Sequence, residues 1–187
     1  MAIATGVIST PPIIAGLAAT AVYLYEPTAF GGRLWYCITL LLLTAAPLLS
    51  YVFSYALPSM RELGRKGQRQ LAFVVSVLSY VLGTIVCMCG RAPQVVLGFF
   101  LSYLASGGLL SLINGALDFK ASGHACGFSG PLTIMTAVIG PAVLWVWITL
   151  PLVFWARLRT QRHSMAELIS GTLVGAAASA VVMVSIM

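Results

Sequence analysis

Two short polar clusters interrupt this apolar chain, and each contains one of its two histidines, His124 and His163. Glu167 follows His163 by four residues, so at the start of a helix the two side chains would lie on one face. The carboxylate could then hold one imidazole nitrogen while the other faces a substrate. Arg157, separated from His163 by five residues, supplies a cation. An oriented imidazole beside an arginine is typical of a nucleophile that attacks a phosphate.

The cluster around His124 also has the residue types that bind an anion. Ser122 and Gly123 directly precede the histidine, and Lys120 lies four residues before it. The Ser-Gly pair predicts a helix N-cap and first turn, whose free backbone N–H groups would face the anion. Lys120 adds a positive charge. We therefore predict that Lys120, Ser122 and Gly123 bind substrate.

The composition is that of an integral membrane protein. Of the 187 residues, 60% are hydrophobic and only 7% are charged, with a mean hydropathy of +1.01. Such a chain is too apolar for a soluble globule. A net charge of +6 would suit nucleic acid, but the cations lie in short gaps between apolar runs instead of along one face, so no nucleic acid is expected as a partner.

Seven apolar segments are predicted to form the helices that position these clusters, although the fifth and sixth are short for a full crossing of the bilayer. They lie near 6–25, 34–57, 71–90, 95–115, 122–139, 141–156 and 166–187. The apolar stretch 122–156 is too long for one crossing of a bilayer core of about 30 Å, so Gly140-Pro141 is predicted to break it. The expected fold is an all-α, polytopic membrane helix bundle with about six to seven transmembrane helices, and residues 1–187 form one integral membrane domain.

The parity of seven segments places three polar loops, 58–70, 116–121 and 157–165, on one membrane face. These loops hold most of the cations, so the positive-inside rule makes their face cytoplasmic. The small, helix-only design favours a bacterial inner membrane. If Pro11-Pro12 makes the first segment re-entrant, the three loops still share a face and only the amino terminus changes side.

Both polar clusters resemble the signature of the type 2 phosphatidic acid phosphatase family, membrane enzymes that hydrolyse lipid phosphates. That signature includes Pro-Ser-Gly-His and, two helices later, Ser-Arg, five residues, His, three residues, Asp. Here residues 121–124 read Ala-Ser-Gly-His, and residues 156–157 read Ala-Arg, with His163 and Glu167 at the family's intervals. Residues 168–171 read Leu-Ile-Ser-Gly, which is similar to the family's Val-Leu-Ala-Gly.

The resemblance covers residues 120–187 and implies a metal-free lipid phosphatase that needs no cofactor. His163 would attack the phosphate and form a phosphohistidine, which water then hydrolyses. His124 would protonate the leaving oxygen, Glu167 would orient His163, and Arg157 would bind phosphoryl oxygens. A neutral His163 and a protonated His124 would give a bell-shaped pH profile. The implied partners are a phosphorylated lipid substrate and the surrounding membrane lipids.

The chain departs from the family pattern at three points. The family's first motif, Lys, six residues, Arg-Pro, is absent, because no Arg-Pro dipeptide occurs in the sequence. Lys120 is the nearest candidate to replace its phosphate contacts, and the loop with Arg61, Arg65, Lys66 and Arg69 is another, whose three arginines are the predicted contacts. Glu167 stands where the family has Asp, one methylene longer with the same chemistry. The interval between the two histidines is also slightly shorter.

Two other functions remain open at this level. The missing first motif would suit a degenerate member that binds or moves phospholipids without hydrolysing them. The two histidines could instead ligate haem, or a metal together with Glu167 and Asp118, although three nearby arginines repel a cation. Phosphatidic acid, phosphatidylglycerol phosphate, an isoprenyl pyrophosphate and a lipid A phosphate all offer the same phosphoryl group. The sequence distinguishes neither among them nor among oligomeric states.

Overall fold

The computed structural model describes residues 10–58, 62–117 and 119–187, except for the side chains of Tyr55 and Arg65. Across these residues the chain is helical, with no strand, and the predicted all-α bundle is confirmed. Five helices are long and apolar enough to cross a membrane. Arg61, a predicted phosphate contact, and Asp118, the carboxylate of the alternative metal site, lie outside the described residues, as does the side chain of Arg65.

Seven helices, numbered α1 to α7, follow one another in the described part of the chain. They are α1 at Pro11–Tyr25, α2 at Arg33–Leu40 continuing through a π-helical turn at Leu41–Ala45 into Ala46–Ala56, α3 at Gly64–Gly90, α4 at Gln94–Ala116, α5 at Gly123–Ile139, α6 as a 3-10 segment at Pro141–Thr149 followed by an α-helix at Leu150–Arg159, and α7 at Met165–Ile186. A 3-10 turn at Pro27–Phe30 joins α1 to α2.

The predicted break at Gly140-Pro141 is confirmed, and it turns α6 back along α5. Gly140 has a φ of +91°, a left-handed conformation that glycine adopts at little cost. Pro141 then begins the 3-10 segment. A backbone N–H at this first position would have no partner within the helix, so the missing N–H of proline costs no hydrogen bond. The Trp147 indole N–H donates to Thr136 Oγ1 at 3.4 Å, which ties the two arms together. The carboxyl end of α6 therefore lies near the amino end of α5.

Helices α5 and α7 pack with their backbones almost in contact. A Cβ atom added at Gly171 would overlap the carbonyl oxygen of Ser122, and one added at Gly175 would overlap that of Cys126. Glycines spaced by four residues allow such an approach between membrane helices. This contact determines how far the first turns of α5 and α7 lie from each other, and both histidine clusters are located there.

The largest apolar core lies at the opposite end of the bundle, around the Pro27–Phe30 turn. Phe30 and Phe99 are fully buried in it, and the ring of Tyr23 stacks on that of Tyr36 with centroids 4.2 Å apart. Apolar packing thus holds one end of the bundle, while hydrogen bonds and close backbone contacts organise the end that carries the histidines.

Candidate functional site

Four helix ends meet where the two polar clusters lie: the carboxyl ends of α4 and α6 and the amino ends of α5 and α7. The backbone N–H of Ser122 donates to the carbonyl of Glu167 at 2.9 Å, which joins α5 to α7. Asn114 on α4 brackets Ala121, accepting from its N–H at 2.7 Å and donating to its carbonyl at 3.4 Å. These bonds hold the α4–α5 loop against the start of α7, and they bring the two clusters together.

His163 and Glu167 form the hydrogen bond that their spacing predicts. Nδ1 of His163 lies 2.8 Å from Oε2 of Glu167. The same carboxylate oxygen accepts from the backbone N–H of Ser164 at 3.1 Å, while Ser164 Oγ accepts from the N–H of Glu167 at 3.3 Å. This capping box begins α7 and fixes the carboxylate. Because a carboxylate only accepts, Nδ1 of His163 carries the hydrogen, and Nε2 of the neutral ring keeps its lone pair.

The surroundings of His163 favour its neutral form. Burial lowers the pKa of His163 below the ordinary value for histidine, and the positive charges of Arg157 and Lys120 act in the same direction. The hydrogen bond and the charge of Glu167 raise the pKa, but the net shift is downward. The imidazole is therefore uncharged at neutral pH, which is the form that can attack phosphorus.

Arg157 and His124 form a second pair in the site. Nη2 of Arg157 lies 3.1 Å from Nδ1 of His124, and the arginine is only 8% exposed. A guanidinium only donates, so Nδ1 of His124 accepts and the neutral ring carries its hydrogen on Nε2. The Nε–H of Arg157 is also buried, and it has no hydrogen-bond partner among the described residues. An unpartnered buried donor is costly, and a phosphoryl oxygen would satisfy it.

The first turn of α5 supplies further donors beside His124. Ser122 is fully buried, and its side chain accepts from the N–H of Ala125 at 3.4 Å, so the predicted N-cap is confirmed. The N–H groups of Gly123 and His124 come before Cys126, whose N–H is the first to donate to a backbone carbonyl of this helix, so they have no intrahelical partner. They lie at the positive end of the α5 dipole, a position that favours a bound anion.

Some of the predicted cations lie in the described part of the chain, and their charges act on the histidines. Lys120 is exposed, and its charge acts on His163. Arg69 lies in the second turn of α3, and its charge acts on both His124 and Arg157. Two of the cations predicted to replace the missing motif are therefore described and act on the site through their charges. They are Lys120 and Arg69.

Asn114 and Arg162 also contribute to the site, and neither was predicted from the sequence to do so. The charge of Arg162 acts on His124 and Arg157. The α6–α7 turn that carries it is tight: Gln161 has a φ of +50°, and the N–H of Arg162 donates to the carbonyl of Arg157 at 3.1 Å. The one available signal for Asn114 was a lone amide in the last turn of an apolar helix.

The described residues also form a shallow apolar groove of about 330 Å³. Its lining comes from the end of α6 and the start of α7, namely Leu150, Pro151, Phe154, Trp155, Leu158 and Met165. Leu158 directly follows Arg157, and Met165 lies two residues after His163. The groove is therefore lined by segments that adjoin Arg157 and His163 in the chain, and a hydrocarbon chain could lie in it.

Comparison of the chain with models of known protein families, with characterised proteins and with solved structures gives no match. In the described ranges, no three His, Cys, Asp or Glu side chains lie close enough together to share a metal ion. The geometry and chemistry of the two histidine pairs are therefore the basis on which a function can be assigned.

Proposed function

We propose that the protein is a membrane lipid phosphatase, a divergent relative of the type 2 phosphatidic acid phosphatases, that hydrolyses a lipid phosphate monoester or pyrophosphate without a metal. One observation supports this most directly: the His163–Glu167 pair and the buried Arg157–His124 pair meet at one end of an apolar bundle. Together they offer an oriented nucleophile, a proton donor and an anion-binding cation in one site.

The reaction proceeds in two steps. Nε2 of His163 attacks phosphorus in line, so a phosphorus–nitrogen bond forms as the bond to the lipid oxygen breaks. The Nε–H of Arg157 and the first-turn amides of α5 bind the phosphoryl oxygens. Glu167 stabilises the positive charge that develops on His163, and His124 gives a proton to the leaving oxygen. Water then attacks phosphorus, the phosphorus–nitrogen bond breaks, and inorganic phosphate leaves.

The position of the site favours a lipid over a water-soluble phosphate ester. The polar groups lie at the end of apolar helices, and the groove between α6 and α7 is lined by Leu158 and Met165, which lie close to Arg157 and His163 in the chain. A substrate with a charged head and a hydrocarbon chain can place its phosphate at the histidines while the chain lies in the groove or in the bilayer.

Phosphate release by the detergent-purified protein in EDTA tests the proposal. The panel contains phosphatidic acid, phosphatidylglycerol phosphate, an isoprenyl pyrophosphate and a lipid A phosphate, with glycerol phosphate as the chain-free comparison. We expect EDTA-resistant release from at least one lipid and little from glycerol phosphate. Release that stops in EDTA would contradict the metal-free reaction. Lipid binding without release would favour the second candidate, a phospholipid binder or transporter, which the missing first motif supports.

The pH dependence of turnover should show a single acid limb set by His163. Because burial lowers the pKa of His163, the ring stays neutral until the pH falls below the ordinary histidine value of about 6.5. We expect kcat/KM to be constant through neutrality and to fall at lower pH. In Glu167→Gln the carboxylate no longer raises this pKa, so the limb should move to still lower pH. A limb above pH 6.5, measured on the best lipid, would count against His163 as the titrating nucleophile.

Arg69 should contribute to substrate binding through its charge. We expect Arg69→Gln to raise KM about tenfold at low ionic strength, with less effect in high salt, because one cation facing the phosphate is lost. Lys66→Gln is the matched control, since Lys66 is an exposed cation one turn earlier on α3. KM should then change by no more than about twofold. Equal effects of the two substitutions would mean that surface charge in general, and not Arg69, attracts the substrate.

A further inference from the structure

The two histidines are in opposite tautomeric forms, so that one Nε2 atom has a lone pair and the other carries a hydrogen. His163 donates from Nδ1 to Glu167, which leaves a lone pair on Nε2, whereas His124 accepts at Nδ1 from Arg157 and carries its hydrogen on Nε2. One ring can therefore attack and the other can donate a proton while both are neutral. The sequence-based expectation was different, because it required a protonated His124.

We propose that Arg157 is a positioning residue for His124: its Nη2–H bond to Nδ1 holds the imidazole as the Nε2–H tautomer, so that His124 delivers its proton from the neutral ring. The role of that proton rests on the proposed phosphatase reaction, whereas the tautomer itself does not. Arg157 thus acts on two partners, with Nη2 on His124 and the buried Nε on the phosphoryl group.

The charges that face His124 favour the neutral ring. They belong to Arg157 on α6, to Arg162 and His163 in the α6–α7 turn, and to Arg69 on α3. Each of these is a cation or becomes one. Protonating Nδ1 would break the bond to Arg157 and place a further positive charge beside a guanidinium, at a ring that is largely removed from water. Glu167, the nearby carboxylate, is already paired with His163.

The reaction needs no added acid, because the proton that His124 gives up in the first step is returned to it in the second. When the phosphorus–oxygen bond breaks, its electron pair goes to the lipid oxygen, which takes the Nε2 proton of His124. The ring becomes an imidazolate whose charge faces the Arg157 guanidinium at Nδ1. In the second step the attacking water gives a proton to Nε2 and restores the neutral ring, as the electron pair of the phosphorus–nitrogen bond returns to His163. A neutral imidazole near a helix N-terminus is known to act as an electrophile in this way.

Nitrogen NMR on the full-length protein, labelled with ¹⁵N-histidine and placed in phosphatidylcholine nanodiscs, measures the tautomer directly. With only two histidines in the chain, His163→Asn leaves the ring of His124 as the single labelled imidazole. We expect a protonated Nε2 and an unprotonated Nδ1 that do not titrate between about pH 5 and 8. An Nδ1–H tautomer, or a doubly protonated ring near neutrality, would overturn the proposal.

Substitutions at Arg157 test the cause of the tautomer. Arg157→Met removes the donor at similar volume, so His124 should become a mixture of tautomers that titrates. Arg157→Gln keeps an N–H donor without the charge and should restore part of the Nε2–H population. Arg159→Gln, at an exposed arginine on the same helix end, should leave the spectrum unchanged. A wild-type spectrum in Arg157→Met would refute the role of Arg157, and if that variant does not fold, the wild-type titration still decides the tautomer.

Turnover provides the second measurement. The kcat/KM of the wild type should stay flat on the alkaline side of the His163 limb, because a neutral His124 needs no extra proton, whereas Arg157→Met should gain an alkaline limb. An alkaline limb in the wild type would overturn the neutral donor. The NMR experiment needs no substrate, so the expected tautomer in a protein that releases no phosphate would refute the proposed function alone. Phosphate release with the opposite tautomer would refute this inference alone.

Discussion

Replacing His163 with alanine should lower phosphate release by about 10⁴-fold or more, because in the proposed reaction the ring supplies the atom that bonds to phosphorus. His163→Asn should be as inactive, since its amide can still donate toward Glu167 but cannot attack. His124→Ala should cost less, about 10²- to 10⁴-fold, because it removes the proton donor and leaves the nucleophile in place. Initial rates on the best lipid of the panel, with all variants at equal concentration, give these ratios.

The covalent intermediate separates loss of chemistry from loss of structure. Wild-type protein quenched during turnover of a phosphate-labelled lipid should carry the label in an acid-labile, alkali-stable form, as a phosphohistidine does. Arg159→Gln, which alters an exposed cation near the site, should retain both label and turnover. Label on His163→Ala, or turnover that survives this substitution, would contradict the assignment of the nucleophile.

The parts of the site that could be predicted are those that depend on local spacing. His163 and Glu167 are four residues apart, and one helical turn is enough to bring them together whatever the rest of the chain does. The Ser122 cap and the break at Gly140 follow equally local rules, because a hydroxyl accepts at a helix start and a glycine before a proline ends a helix. No tertiary information was needed for these three features.

The parts that could not be predicted join residues far apart in the chain. The contact of Arg157 with His124 spans 33 positions and depends on the angle at which α6 returns along α5. Hydropathy does not encode that angle, and it also does not reveal that Pro141–Thr149 is a 3-10 segment instead of an α-helix. The tautomer of His124 follows from this one contact, so a sequence argument had no basis for choosing a neutral ring.

Gly171→Ala should disable the site although Gly171 carries no functional group. The added Cβ would meet the backbone of Ser122, overlapping its carbonyl oxygen and lying 3.0 Å from its carbonyl carbon and nitrogen. Backbone atoms cannot turn aside as a side-chain end can, so α5 and α7 must separate where Ser122 donates to Glu167. A displacement of about 1 Å between His124 and His163 costs about a hundredfold in rate, and overpacking costs about 1–3 kcal/mol of stability.

Two further glycines distinguish a positional effect on the site from a general loss of stability. Gly107→Ala lies inside α4, where a Cβ meets nothing within 4 Å, and should keep wild-type turnover with an equal or higher Tm. Gly175→Ala overlaps the carbonyl oxygen of Cys126, one turn farther from the histidines. It should lower Tm about as much as Gly171→Ala but reduce kcat less, because the Ser122–Glu167 bond can persist while the helices separate deeper in the bundle. The comparison uses thermal unfolding in detergent and kcat/KM for all three variants. Equal losses of kcat at Gly171 and Gly175 would mean that the stability of the bundle, and not the spacing at Ser122, governs turnover.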